Sequence, residues 1–205
     1  MSAAQLVLDL ALTVRHDGRG GVADDLEDAE GLTAWVAAHT AELAEAAALP
    51  DPLAPFTADP AALTAVRDLR RAVRTLFARA VRPAPPSPAD AERLLPADEA
   101  LDRLAAAAAR VPVAPRLTWP EPGPAELTYR PAAPAPPVDL LVSGLARAAA
   151  AFLASDDRDR LRACHAPRCV RYFLKEHPRQ EWCKPSCGNR ARVARHQRRH
   201  RADAL

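Results

Sequence analysis

Apolar residues return at helical spacing in several stretches of the chain. The clearest stretch begins at Asp59, a good N-cap, and Pro60, which suits the first turn of a helix. Leucines, valines and Phe77 then recur every three or four positions as far as Arg82. The same reasoning predicts further helices over residues 31–47, 87–94, 97–110 and 138–154.

Prolines define the stretch between residues 112 and 137, where nine of them exclude a helix. Two β-prone pieces, 116–119 and 126–129, flank the turn sequence PEPGPA, so we predict a short β-hairpin. Trp119 and Tyr129 lie near its two ends and are expected to pack on the helices. Helices around one hairpin predict an α+β fold that is mainly α.

The apolar opening, residues 3–14, is too short to decide between helix and strand. It has no basic region before it and contains Asp9, so we interpret it as a core element rather than a signal peptide. We find no run of about 18 apolar residues of the kind that crosses a membrane. The sequence therefore predicts a cytoplasmic protein without a membrane partner.

Charge divides the chain of 205 residues into two unlike parts. Residues 158–205 contain 14 basic and 4 acidic side chains, whereas residues 1–157 contain 14 basic and 22 acidic ones. Arginine is abundant throughout, so its content alone says little, but the split does not follow from composition. A basic module of net charge +10 beside an acidic body of −8 indicates a polyanionic partner.

All four cysteines lie in that basic part, as C-x4-C and C-x3-C pairs separated by 13 residues. Two short-spaced pairs are typical of a tetrahedral zinc site, and we predict one Zn²⁺ held by Cys164, Cys169, Cys183 and Cys187. Four protein ligands leave no open position, so the zinc is expected to be structural. It also compensates for the small core of a module of 48 residues.

Other uses of these cysteines stay open at this point. Two disulfides require an oxidising compartment, which the absence of a secretory signal disfavours. An iron–sulfur cluster takes four thiolates too, but usually at other spacings. His165 or His177 is able in principle to replace one of the cysteine ligands.

The run from Trp182 to Arg190, in which Cys187 is followed by Gly188 and Asn189, resembles the signature of the CGNR zinc-finger family. The resemblance implies a C-terminal finger similar to a treble clef, after a mainly helical domain called ABATE. It also implies a stress-related transcription regulator. We therefore divide the chain into an ABATE-like domain, 1–157, and a zinc finger, 158–205.

A basic helix is predicted from about Lys184 onward, with Cys187 in its first turn. It is polar almost all round, and a phosphate backbone would relieve the repulsion among its arginines. Asn189 and Arg190 either contact DNA or brace the finger internally. The candidate nucleic-acid contacts are Lys184, Asn189, Arg190, Arg192, Arg195, Arg198, Arg199 and Arg201.

The favoured function is a DNA-binding transcription regulator, whose N-terminal domain is a scaffold or the sensor of an unknown small-molecule effector. A single short helix gives little sequence specificity, so either a homodimer or a weak consensus sequence is expected. Two alternatives are an adaptor that docks an acidic protein surface and an RNA-binding protein. We find no nucleophile–base pair, paired carboxylates or phosphate loop in the sequence, and do not expect an enzyme.

Overall fold

The structure is a computed structural model that describes residues 3–19, 21–48, 55–90 and 92–202. Helices within these residues are α1 (Ala3–Leu12), α2 (Ala29–Ala38), α3 (Thr40–Ala46), α4 (Pro60–Ala80), α5 (Ala97–Ala109), α6 (Pro137–Ala154) and α7 (Pro185–Ala202). Strands are β1 (Val14–His16), β2 (Val22–Asp24), β3 (Val113–Thr118), β4 (Glu126–Pro131), β5 (Leu161–Ala163) and β6 (Tyr172–Leu174), which form three antiparallel hairpins. The predicted mainly α, α+β class is confirmed.

The strongest sequence prediction, α4, is confirmed with its cap. The Asp59 carboxylate accepts a hydrogen bond from the Ala62 amide at 2.7 Å, and Pro60 is the first helical residue. The periodic apolar side chains face inward, and Val66, Val73 and Phe77 are fully buried. A helix of this amphipathic kind is stabilised mainly by burying that face.

The core is built around α6, which packs against α1, α3, α4 and α5. Gly144 lies where a Cβ would come within 2.9 Å of the Ala47 backbone, so glycine allows the end of α3 to approach α6 closely. Among the described helices, α6 is long and apolar enough to cross a membrane by length and composition. This finding qualifies the sequence prediction that no apolar run is long enough to cross a membrane. Its inner face, including Leu141 and Leu145, is buried in the core, as in a core helix of a soluble protein.

The N-terminal part differs from the prediction in two places. Most of the stretch 3–14 forms α1, and Val14 begins a small hairpin, β1–β2, which the sequence analysis did not predict. The helix predicted over 31–47 is broken at His39 into α2 and α3. His39 stacks on Trp35 with ring centroids 4.4 Å apart, and its Nδ1 lies 2.8 Å from the Trp35 carbonyl oxygen.

The segment after α4 is less helical than predicted. Of the stretch 87–94, only a 3-10 turn at Pro88–Asp90 is present, and residue 91 lies outside the described residues. A single such turn fits a proline-rich segment, because prolines remove the amide donors that a longer helix requires.

The β3–β4 hairpin is present and longer than predicted, with Leu117 opposite Leu127 and Pro115 opposite Tyr129. The expectation that its aromatic side chains pack on the helices is wrong, since Trp119 is 72% exposed and Tyr129 51% exposed. Strand alternation puts these apolar residues on one face of the hairpin, and that face is turned to solvent.

Candidate metal centre

The four cysteines come together from the β5–β6 hairpin and from the start of α7. Cys164 directly follows β5, and its amide donates to the Arg171 carbonyl at 2.9 Å, which extends the β5–β6 hairpin. Cys169 closes a turn in the hairpin loop through a 2.9 Å bond from its amide to the Ala166 carbonyl. Cys183 precedes α7, and Cys187 lies in the first turn of that helix.

The sulfur geometry fits a tetrahedral zinc ion. All four Sγ atoms lie within 4.8 Å of one another. The Cys169–Cys183 sulfur pair is 3.7 Å apart, and the Cys183–Cys187 pair is 3.5 Å apart. Zinc–sulfur bonds of about 2.3 Å at tetrahedral angles require sulfurs roughly 3.8 Å apart. The cysteines form no disulfide, so the set is a four-thiolate site for one structural zinc, as predicted.

The close thiols shift one another's pKa values. Hydrogen bonds from Cys169 and Cys183 lower the pKa of Cys164 to about 2. The Cys164 sulfur in turn raises the pKa of Cys169 to about 11, and it raises that of Cys183 as well. One thiolate is thus favoured at the expense of its neighbours. A divalent ion removes the conflict, because it stabilises four thiolates together.

Arg190 is directed at the cysteine cluster. Its Nη2 donates to the Cys187 sulfur at 3.0 Å, and the residue is half-buried. A guanidinium beside a zinc-bound thiolate offsets part of its negative charge and fixes its orientation. The contact matches the bracing alternative for Arg190. Asn189 is exposed, and its side-chain oxygen accepts a hydrogen bond from Arg192.

Close packing against Trp182 explains why position 188, between Cys187 and Asn189, is a glycine. A Cβ at this position would lie 3.1 Å from Cδ1 of Trp182, closer than ordinary side-chain contacts. The indole therefore packs directly against the first turn of α7. Trp182 contacts the small buried cluster that includes Ala166, Phe173 and the cysteines.

A second group of finger residues belongs to the large core of the helical part. Leu161, Ala163 and Tyr172 are buried among side chains of the N-terminal helices. The Tyr172 ring meets Phe77 edge-on with centroids 5.4 Å apart. The predicted boundary at residue 157 lies in the 3-10 turn Asp156–Arg160, but the side chains on its two sides share one core.

Buried polar contacts join the same two parts of the chain. The Tyr172 hydroxyl donates to Asp90 at 2.7 Å and accepts from the Ser87 amide at 3.3 Å. Asp90 also accepts from Arg74 Nε at 2.7 Å. Burial raises the pKa of Tyr172, and the neighbouring Asp90 carboxylate raises it further. The Ser87 hydroxyl donates to the Val170 carbonyl at 2.8 Å. These contacts of Ser87 and Asp90 with Val170 and Tyr172 are here called the joint.

The predicted nucleic-acid contacts on α7 are exposed beyond its first turn. Lys184, Arg192, Arg195, Arg198 and Arg199 all face solvent, and within the described residues none of them forms an ion pair. No acidic residue occurs between 185 and 202. Arginines of the helical part are different, as in the pairs Arg70–Asp24 and Arg74–Asp90. The side chain of Arg201 lies outside the described part of the chain.

A cavity of about 430 Å³ lies beside the joint between the two parts. It is bounded by the β1–β2 hairpin, α4 and residues 89, 90 and 92–94. Two of its lining arginines, Arg70 and Arg74, are almost fully buried and paired with Asp24 and Asp90. Burial alone would raise the pKa of Asp24, but hydrogen bonds and charge from Arg70 outweigh it and lower the pKa.

Comparison with known protein families gives two matches. A family model named ABATE, described as "Putative stress-induced transcription regulator", matches residues 4–156. A second model, the CGNR zinc finger, matches residues 160–200. A search of curated proteins finds no match.

Proposed function

Since the chain belongs to the ABATE family and carries a CGNR zinc finger, we propose that it is a regulator that binds duplex DNA through α7. The observation that carries the proposal is the set of exposed arginines on α7 that have no acidic partner within the described residues. Some surface arginines elsewhere in the chain, such as Arg103, Arg110 and Arg160, form ion pairs. Six arginines and no acidic residue occur between 185 and 202, so no side chain of α7 itself offsets its positive charge.

Zinc supports DNA binding by fixing where α7 begins. Cys183 and Cys187 attach the start of the helix to the β5–β6 hairpin, so the ion sets the direction in which the basic residues project. A single helix fits the major groove of duplex DNA, and its arginines reach the flanking phosphates. The proposed contacts are Lys184, Arg192, Arg195, Arg198, Arg199 and Arg201.

Asn189 and Arg190 receive different roles in this proposal. Arg190 braces the Cys187 sulfur, so we remove it from the set of DNA contacts. Asn189 holds the guanidinium of Arg192 from one turn before it, so it orients that side chain toward a phosphate. The proposed role of the chain is binding, and no catalytic step is assigned to it.

Fluorescence anisotropy on the zinc-loaded full chain separates the three candidate partners. The probes are a labelled DNA duplex, an RNA duplex of the same sequence, and poly-glutamate. We expect at least tenfold tighter binding to DNA, because the deep, narrow major groove of A-form RNA does not admit a helix. Equal or tighter binding to RNA would support the RNA-binding alternative. Binding to poly-glutamate alone would support the protein adaptor.

The sensor role of the helical domain is a separate part of the proposal, and the cavity beside the joint supports it. Its lining contains five arginines and four carboxylates, a net charge of +1. Arg67, Arg70 and Arg74 pair with Asp24 or Asp90. Arg71 and Arg93 are then the cations that favour a small anionic effector, such as a phosphate ester or a carboxylate.

Thermal-shift measurements with phosphate and citrate at constant ionic strength test the sensor role. We expect a higher melting temperature for the wild type and a smaller shift for the Arg71→Gln, Arg93→Gln double variant. Equal shifts in the two proteins would contradict an effector site at this cavity.

A further inference from the structure

The β3–β4 hairpin projects from the helical part with one apolar face uncovered. Leu117 and Leu127 are cross-strand partners on this face, and Tyr129 follows two positions along β4. Trp119, directly after β3, continues the alternation on the same side. These four side chains, here called the hairpin face, are between 51% and 72% exposed. The two strands pair mainly with each other and pack little against other elements.

The opposite side of the hairpin has a different composition. Arg116 and Thr128 form a cross-strand pair there, and Ala114 pairs with Arg130. Ala114 and Arg116 on this side are exposed as well, so neither side of the hairpin is covered by the rest of the chain. A polar side exposed to water is ordinary, whereas an exposed apolar side is unfavourable in a monomer. The hairpin face therefore has the composition of a surface that another molecule covers.

Prolines restrict how such a molecule can bind. The Ala132 amide donates to the Pro112 carbonyl at 2.8 Å, which makes residues 112 and 132 a hydrogen-bonded pair. Hydrogen-bonded and non-hydrogen-bonded pairs alternate along an antiparallel ladder. Pro115 and Pro131 then fall in non-hydrogen-bonded pairs, where an amide would point to the outer edge. Each outer edge lacks a donor, so pairing through a strand edge is disfavoured and packing through the face is favoured.

The size and charge of the hairpin face fit a second copy of the same chain. Its exposed fractions correspond to a surface on the order of 500 Å², the size of the largest apolar patch on a typical monomer, and such patches are often functional. Two copies packed face to face would bury on the order of 1,000 Å², the lower limit for a specific interface. The four side chains carry no formal charge, so the hairpin face offers no electrostatic attraction to a phosphate backbone or a charged protein. A two-fold axis makes one apolar face complementary to itself.

We propose that the β3–β4 hairpin is a dimerisation arm, and that two copies of the chain pack their hairpin faces against each other. The hairpin face includes no residue of α7, so the proposed interface and the proposed DNA-binding helix are different surfaces. The inference does not depend on DNA binding, because it rests on the hairpin alone.

Sedimentation equilibrium of the zinc-loaded full chain, without nucleic acid, tests the dimer. The wild type is expected to have twice the mass of the 22.0 kDa chain at micromolar concentration. The Leu117→Ser, Leu127→Ser double variant is expected to weaken self-association at least about 100-fold, since central apolar contacts dominate such interfaces. The matched control, Arg116→Ser with Thr128→Ser, changes the adjacent pair on the opposite side and is expected to remain dimeric.

Zinc content and far-UV circular dichroism of each variant identify any loss of folding. If the serine variant loses zinc, Trp119→Gln replaces it, because that side chain lies beyond the strand and is the most exposed of the four. A wild type that stays monomeric at high micromolar concentration would overturn the proposal. A dimer with the same affinity in all these variants would overturn it too.

Discussion

Arg190 and Tyr172 are the two single residues on which the finger depends beyond its cysteines. Arg190 donates to a ligand sulfur, and Tyr172 bonds to Asp90 in the helical part. The Arg190 contact joins residues three apart on a helix, which are neighbours on its surface. Sequence spacing is therefore compatible with the Arg190–Cys187 contact, but it does not distinguish that contact from a contact between Arg190 and DNA. The Tyr172 contact joins residues 82 positions apart, which spacing does not reveal.

Replacing Arg190 by Gln is expected to weaken zinc retention by about 10- to 100-fold, the usual effect of losing a group that orients a metal ligand. Competition with a chromophoric chelator measures the change. Arg192→Gln is the matched control, because it removes the same charge two positions away without touching a sulfur. Equal zinc retention in the two variants would show that the contact to Cys187 is unimportant.

Tyr172→Phe is expected to lower the free energy of unfolding by about 1–3 kcal/mol, because it leaves the buried Asp90 carboxylate with one donor fewer. The pKa of Tyr172 is raised in the folded chain, so its hydroxyl contributes full stability below the unfolded pKa of about 10 and loses it at higher pH. Urea unfolding at pH 7 and at alkaline pH measures both effects. Thr57→Val, which removes a hydroxyl at an exposed position outside the hairpin face, is the control and is expected to change neither.

At the scale of elements, the long helices were predictable and the short elements were not. The amphipathic pattern and the Asp59 cap define α4 from sequence alone. The strands β1 and β2 have three residues each, too few for an alternation of apolar and polar residues to be recognised. The break at His39 keeps the apolar stripe intact on both sides, so periodicity does not reveal it. The exposed hairpin face was missed because apolar residues were assumed to be buried.

The isolated position of α7 leads to a prediction about its dynamics. Beyond Ala191, most of the helix is exposed and its arginines repel one another. We expect its backbone amides to exchange quickly in the free chain and at least tenfold more slowly with duplex DNA bound. Hydrogen-exchange mass spectrometry measures this, with α6 as an internal control that stays protected in both states. Unchanged exchange in α7 at saturating DNA would place the contact elsewhere.

At the scale of the whole molecule, the charge split and the cysteine spacing predicted a separate basic finger. The structure shows that side chains of the finger also pack into the core of the helical part. A division at residue 157 predicts that residues 1–157 fold without metal and that chelation affects only the finger. Leu161, Ala163 and Tyr172 change this expectation, because they complete the core of the helices. Contacts between distant segments of this kind arise from tertiary packing, which one sequence does not encode in its local pattern.

Chelation of zinc is therefore expected to unfold the finger and also to lower the melting temperature of the helical part. Loss of about 1–3 kcal/mol from the shared core corresponds to a decrease of roughly 2–12 °C for a chain of this size. Calorimetry with and without chelator measures the shift, and re-addition of zinc is the control for reversibility. A helical part with an unchanged melting temperature would mean that the two parts are independent.

The most direct test of the account is the salt dependence of duplex DNA binding by the full chain and a triple variant. One helix side presents about four to five cations, so log affinity against log salt should have a slope of roughly −4. Arg192→Ala with Arg195→Ala and Arg199→Ala should flatten that slope by about two to three without releasing zinc. Arg15→Ala with Arg103→Ala and Arg110→Ala removes equal charge from the helical part and should leave the slope unchanged. Equal affinity of wild type and α7 variant for DNA at low salt would contradict the account.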